Sequence, residues 1–264
     1  MSQIPDIKLG SVLISLLEAE PGQEKALHRW YERDHFYSGC MVGANFFSGR
    51  RYVATRPLKA MRFPAQSPIT EDISKGSFLT IYWMLEGRYE EALDWSIQQV
   101  HQLHDQKRMG PTKTNISSGF YRYDWGCFRD TDGVPAELAL EHPYKGVAMT
   151  YIDSREGGSR EDFQKQCTQA LEAAQANSAC AMSLCLQTLP LPDSVPSYVP
   201  RTPESILRKR SVIVHFFEED PGQCWPAFMA NFSRALEKTK CADIVLAAPF
   251  LPTVPGTDTY IDQL

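Results

Sequence analysis

The chain contains no apolar run long enough to cross a bilayer. Its longest, such as Val12–Leu17 and Ile244–Ala248, are strand-sized, far short of the ~20 residues a spanning helix needs. The first ten residues carry Asp6 and Lys8 without an apolar stretch, so no secretory leader is expected. Positive charge is not in excess either: 27 Lys and Arg against 32 Asp and Glu give a net charge of -5. That leaves no basic field for nucleic acid or an anionic lipid surface. The seven cysteines are odd in number and none stands in CxxC spacing, which fits reduced, mostly buried thiols in a cytoplasmic protein better than a disulfide frame or a zinc site. Phosphate-cradling glycine loops, nucleophile elbows and dinucleotide fingerprints are missing as well.

What is there is an ordinary globular balance, 43% hydrophobic and 22% charged over 264 residues, enough for a sizeable core and about two domains. The most informative feature is an internal echo. Ser11–Gln23 (SVLISLLEAEPGQ) reappears as Ser211–Gln223 (SVIVHFFEEDPGQ). Each copy is a β-branched run of strand length followed by acidic-Pro-Gly-Gln, which combines a turn with a helix start. One device used twice implies one strand-turn-helix unit used twice.

Periodicity gives eight strands and four helices. In the first half, strands are expected over 11–19, 45–55, 77–85 and 119–128, with helices over 23–37 and 90–107. The second helix rests on Ala92, Leu93, Ser96, Ile97, Val100 and Leu103 recurring at helical intervals. Residues 129–142 read as a linker. The second half repeats the order, with strands over 146–153, 180–189, 211–218 and 243–249 and helices over 160–175 and 225–237. The fold expected is α+β: two tandem ferredoxin-like β-α-β-β-α-β modules, 1–135 and 136–264, each an antiparallel sheet covered on one face by two helices. Packing the two bare sheet faces against each other would make a barrel-like core able to hold a small ligand.

Trp30-Tyr31-Glu32-Arg33-Asp34-His35, followed by Gly49-Arg50-Arg51-Tyr52, resembles the Trp-Tyr-x-x-x-His…Arg-Arg-Tyr signature of EthD-like members of the dimeric α+β barrel superfamily. The resemblance covers about residues 10–60 closely and the remainder as an architecture. It implies a cofactor-free enzyme acting on an aromatic or polyketide-like compound, with His35 near the end of the first helix, the aromatic pair Trp30 and Tyr31, and Arg50, Arg51 and Tyr52 on the second strand. The second half lacks the motif, so chemistry is expected in the first.

Beside the resemblance, the residues support the same region. His35 is the best acid-base candidate, since imidazole titrates near neutral pH; its structural use would be a helix cap or a bond to a loop carbonyl. Alternation along 78–83 puts Leu79, Ile81 and Trp83 on one face, expected under the helices, and leaves Tyr82 facing the barrel interior. Tyr121, Tyr123 and Trp125 are expected there too, lining it with phenols and indole for a flat aromatic ligand. His215 replaces Ser15 of the repeat and projects opposite Val214 and Phe216, toward the interior. Arg50 and Arg51 point to opposite faces, one of them available to fork onto a carboxylate or phenolate. His101 and His104 sit three apart on a helix but lack a third metal ligand, so no metal site is expected. Arg129–Gly133 is similar to the Gly-x-x-Asp-Gly of dye-decolourising peroxidases without its first glycine, and an Asp-Gly turn explains it better.

Catalytic roles thus fall to His35 and Tyr82, and substrate contacts to Trp30, Tyr31, Arg50, Tyr52, Tyr121, Tyr123 and His215. The step expected is cyclisation, dehydration, isomerisation or decarboxylation through an enolate-like intermediate, with no cofactor. The alternatives are a cofactor-free monooxygenase, a non-catalytic binding protein and a haem protein. A monomer and a homodimer both fit. The long turn-rich segments 57–74 and 190–203 are candidate covers for a site.

Overall fold

The computed structural model describes residues 7–197 and 199–264. Strand β1 (Leu9–Ala19) alternates: Val12, Ile14 and Leu16 turn to one face, and Leu13, Ser15 and Leu17 to the other. It lies between β3 (Phe78–Leu85) and β4 (Lys113–Phe128), and β3 pairs onward with β2 (Phe46–Val53). In the second half β5 (Gly146–Ser154) lies between β7 (Arg210–Phe217) and β8 (Ala242–Pro252), and β7 pairs with β6 (Cys180–Thr188). Every pairing is antiparallel, and the spatial order within each half is fourth, first, third, second.

The two sheets bring their bare faces together in one shared core. They join edge to edge, β2 to β8 at Tyr52↔Pro252 and Val53↔Leu251, and β4 to β6 from Tyr121↔Thr188 to Phe128↔Met182. The result is one closed eight-stranded barrel. Closure removes the sheet edges that would otherwise be left unpaired. An eight-stranded barrel is just wide enough for side chains to fill, and here they do: Tyr52, Trp83, Tyr121, Tyr151, Phe216 and Phe250 belong to a single buried cluster contributed by all eight strands.

The segment expected to be a linker closes one mouth of this barrel. Ala136, Ala139, Leu140 and Tyr144 are buried in the barrel core. Trp83 Nε1 donates to the Ala136 carbonyl at 3.0 Å, and Arg50 Nη1 donates to the Leu140 and His142 carbonyls at 2.9 and 2.8 Å.

Helices cover the outside. Helix α1 (Glu24–Trp30) continues through two π-helical turns, Tyr31–His35 and Tyr37–Met41. After the short α2 (Arg56–Ala60), α3 (Tyr89–Asp105) completes the first half's cover. In the second half α4 (Arg160–Gln175) starts at a Ser159–Asp162 capping box, and α6 (Pro221–Thr239) follows the short α5 (Glu204–Leu207). The echoed Pro-Gly is used in two ways. Gly22 takes a left-handed φ of 82° in a turn before α1, whereas Gly222 lies inside α6 and donates its N–H to the Asp220 cap. Among the described residues no helix is long and apolar enough to cross a membrane.

Arg62 anchors the proline-rich segment after α2. It is 6% exposed and donates to the carbonyls of Ile73, Lys75 and Gly76 at 2.9, 2.5 and 2.8 Å. Removing a charged donor with three carbonyl partners strands those partners. Arg62→Ala is therefore expected to lower the unfolding free energy by about 2–3 kcal/mol, read from denaturant melts.

Candidate functional site

Because the barrel interior is full, the space for a ligand lies elsewhere. A cavity of about 150 Å³ opens between the outer face of β1, β3 and β4 and the helical cover of the first half, bordered by His35, Tyr31, Tyr82, Cys40, Lys113 and Asn115. Its remaining wall is mostly apolar, from Leu13, Leu17, Ile97, Val100 and Phe120. The segment after β6 borders it: Leu191, Val195, Pro196 and Val199 line the cavity. Arg201 gives that segment internal structure, donating to the carbonyls of Leu191, Pro192 and Val195 at 2.7, 3.0 and 3.3 Å. The second half of the chain thus supplies one wall of the first half's cavity.

The wide π-helical turns place His35. Such turns insert an extra residue per turn and recur at functional sites. The His35 ring stacks on Trp30 at 4.5 Å and meets the edge of Tyr31 at 5.1 Å. Its other face lies against Gly39, where a Cβ would stand only 3.1 Å from the ring. Nδ1 is buried with no hydrogen-bond partner among the described residues, so the ring is held by packing and not by a carbonyl. Burial, and secondarily the Lys113 ammonium, pushes its pKa down to about 4, against a smaller opposing effect of Asp34. The imidazole is therefore neutral at pH 7. Asp34 does not orient it: that carboxylate accepts from Ser38 Oγ at 3.0 Å and pairs with Arg108, which holds its pKa down.

Two phenols share the wall. Tyr82 Oη donates to Tyr31 Oη at 3.5 Å, and burial raises both pKa values, so both stay protonated as donors. Lys113 Nζ sits 4.4 Å from the Trp30 ring centroid and donates to the Met109 carbonyl at 2.7 Å; burial lowers its pKa. Asn115 Oδ1 is a second buried atom without a partner among the described residues.

The structure brings His35, Tyr31 and Tyr82 together, with Trp30 stacked behind, but on the face opposite to the one alternation suggested. Leu79, Ile81 and Trp83 fill the barrel, and Tyr82 packs under the helices. The purely apolar set goes to the barrel interior because closure makes that the driest space available. Tyr52 and Tyr121 are barrel-core residues and Tyr123 packs at that core's margin, all away from the cavity. A bulge between Tyr123 and Trp125 turns Trp125 to the helix side. Arg50 is committed to the barrel plug. Arg51 is buried over the Tyr31 ring at 5.1 Å, 3.3 Å from His28 Nδ1. His28 itself is buried, with Nε2 2.8 Å from the Thr257 carbonyl.

His215 faces α6, not the barrel interior. Its Nε2 lies 3.0 Å from Thr150 Oγ1 and its Nδ1 2.8 Å from Ser183 Oγ. Phe228 and Phe232 close over it at 5.0 and 5.7 Å. His101 and His104 are exposed, and no group of three metal-ligating side chains occurs among the described residues. Asp130–Gly133 is a surface turn closed by Gly133 N–H on the Asp130 carbonyl. A second cleft of about 350 Å³ is lined by Tyr121, Thr188, Arg201 and Arg210, but its cations are already paired, Arg210 with Asp153 at 2.7 Å and Arg201 with the carbonyls above.

Lys113, Asn115 and the segment after β6 are the site components that the motif does not reach. Lys113-Thr114-Asn115 reads as loop because it is polar, yet it is the first part of β4, and its alternation was the available signal.

No protein-family model matches the chain, and no curated protein matches it in sequence. Solved structures do resemble it in fold. An anthrone oxidase-like protein superposes with a TM-score of 0.52 at 6% identity, over 94% of this chain and 92% of that one. A candidate chlorite dismutase superposes with a TM-score of 0.51 at 10% identity, over 97% and 100%. A haem-binding protein from Thermus thermophilus gives 0.49 at 8% identity, over 94% and 92%. The likeness is one of fold: an α+β barrel of antiparallel strands with helices outside.

Proposed function

We propose that the chain is a small-molecule enzyme of the EthD-like kind, two fused ferredoxin-like modules (1–135 and 136–264), of which the first carries the chemistry. The observation that carries this is a neutral His35, its Nδ1 without a partner among the described residues, at the wall of a mostly apolar cavity that also presents two protonated phenols. His35 accepts a proton from an aromatic or polyketide-like substrate. Tyr31, whose hydroxyl accepts from Tyr82, donates a hydrogen bond to the oxygen on which charge develops, Tyr82 polarising that donor, and the Lys113 ammonium favours the anion. In a mostly apolar, partly sheltered space these interactions are stronger than in bulk water. The enolate so formed serves cyclisation, dehydration, isomerisation or decarboxylation without a cofactor.

A second reading is a cofactor-free monooxygenase, in which the same carbanion reduces oxygen; the fold is shared with an anthrone oxidase-like protein. Assaying purified protein against a panel of phenols and aryl ketones, in air and under argon, separates the two. Turnover that persists under argon supports acid-base chemistry. Turnover confined to air supports oxygenation, and no turnover in either sinks both.

A haem finds no room at either buried candidate histidine of the sequence reading. Both nitrogens of His215 are engaged and covered by Phe228 and Phe232, and the cavity at His35 is well below the ~300–1,000 Å³ of pockets for drug-sized ligands. The visible spectrum of the purified protein is expected to lack a Soret band. Gly39→Ala offers a test of positioning: a Cβ 3.3 Å from His35 Nδ1 must displace a ring already stacked on Trp30. A fall in kcat of about 10-fold with an unchanged melting temperature is expected, since small misplacements are costly in catalysis.

A further inference from the structure

The cavity is unusual in what it leaves unsatisfied. Two of its polar atoms, His35 Nδ1 and Asn115 Oδ1, are buried without a partner among the described residues. Buried polar atoms are nearly always paired, because an unpaired one has lost its water and gained nothing. Two of them on side chains that border one mostly apolar space call for a ligand that supplies the missing groups. The volume bounds that ligand. About 150 Å³ matches an apolar cavity known to stay dry and to take benzene, so one ring fills it. Leu191, Val195, Pro196 and Val199 supply one wall, and Arg201 of the same loop holds it together through the carbonyls of Leu191, Pro192 and Val195.

We propose that this cavity binds a single-ring aromatic compound carrying a hydroxyl group, held between His35 and Asn115. This rests on the cavity being the functional site and narrows its substrate to monocyclic phenols. A hydroxyl has one proton to give and lone pairs to accept with, which is what the two side chains together require. With the ring proton of neutral His35 on Nδ1, that N–H donates to the ligand hydroxyl oxygen, and the hydroxyl donates its own proton to Asn115 Oδ1, so one group pairs both buried atoms. The Lys113 ammonium bordering the cavity favours negative charge on that oxygen. A hydrocarbon ring of the same size leaves both atoms unpaired.

Calorimetric titration of the full chain with 4-methylphenol, toluene and 2-hydroxyanthracene tests this. The phenol is expected to bind at least ~10-fold more tightly than toluene, as one satisfied buried pair implies, and the three-ring compound not to bind. Asn115→Leu should reduce the preference for the phenol to within ~3-fold while toluene still binds. Equal binding of phenol and toluene to the unaltered protein overturns the proposal, whether or not the variant folds. Binding of 2-hydroxyanthracene that His35→Gln abolishes overturns the single-ring limit but leaves the cavity as the functional site. If none of the three binds, the proposal and the functional reading of the cavity both fail.

Discussion

His35→Gln is expected to lower kcat by about 10²–10⁴-fold with KM little changed, the size of effect a positioned general base contributes. Glutamine keeps a polar side chain of comparable length but takes up no proton at working pH. Because burial holds the imidazole near pKa 4, the pH profile should also be unusual for a histidine. A base must be unprotonated, so kcat/KM should stay level from about pH 8 down to about pH 5.5, and fall only as pH approaches 4. An ordinary solvated histidine would lose activity already near its usual ~6.5. The low value makes His35 a weak base in isolation. Its proton is stabilised only beside an anion, and the cavity supplies that setting when a substrate becomes an enolate or phenolate there. A variant with wild-type kcat, or a profile bending near the ordinary histidine value, would remove His35 from the mechanism.

The second large effect is acid sensitivity of the fold, and it comes from His215. Burial beneath Phe228 and Phe232 pushes its pKa down to about 3, whereas in the unfolded chain it titrates at its usual ~6.5. Below about pH 6.5 the unfolded state therefore takes up a proton that the native state refuses, and stability falls as pH falls, down to about 3. At about pH 4.5, roughly two units below the unfolded value, His215 alone costs about 2–3 kcal/mol. His28 and His35, whose pKa values are also lowered by burial, act in the same direction. The carboxylates held low by ion pairs, such as Asp34 and Asp243, add their losses mainly below about pH 4. Denaturant melts at about pH 7 and about pH 4.5 should show this drop. His215→Gln should be less stable at neutral pH, where it cannot serve both Thr150 and Ser183, yet lose less on acidification. An equal drop in both proteins would assign the sensitivity elsewhere.

Much of the architecture is legible in the sequence, because it is written in local pattern. The echoed Ser-Val run with its acidic-Pro-Gly-Gln marks two corresponding strands, and α4 occupies 160–175 as its amphipathic spacing indicates. Which face of a strand looks where is not local. Leu79, Ile81 and Trp83 suit either a helix-covered face or a barrel interior, and only closure through β2–β8 and β4–β6 decides between them. That closure turned Tyr82 outward and sent Tyr52 and Tyr121 into the packed core. The candidate site was half legible. The motif around His35 located the histidine, Trp30 and Tyr31, but nothing near it in sequence points to Asn115, far along the chain, or to Val195, contributed by the other half. The 190–203 segment stood out as a candidate cover by its length and prolines, though its target is set by the pairing of β6 with β4.

The most direct test of the whole account is a crystal structure of the protein grown with 4-methylphenol. The ring should lie between α3 and the outer face of β1 and β4, its hydroxyl within hydrogen-bond distance of His35 Nδ1 and Asn115. A ring found inside the barrel, or in the cleft at Arg201 and Arg210 with the His35 cavity collapsed, would contradict it.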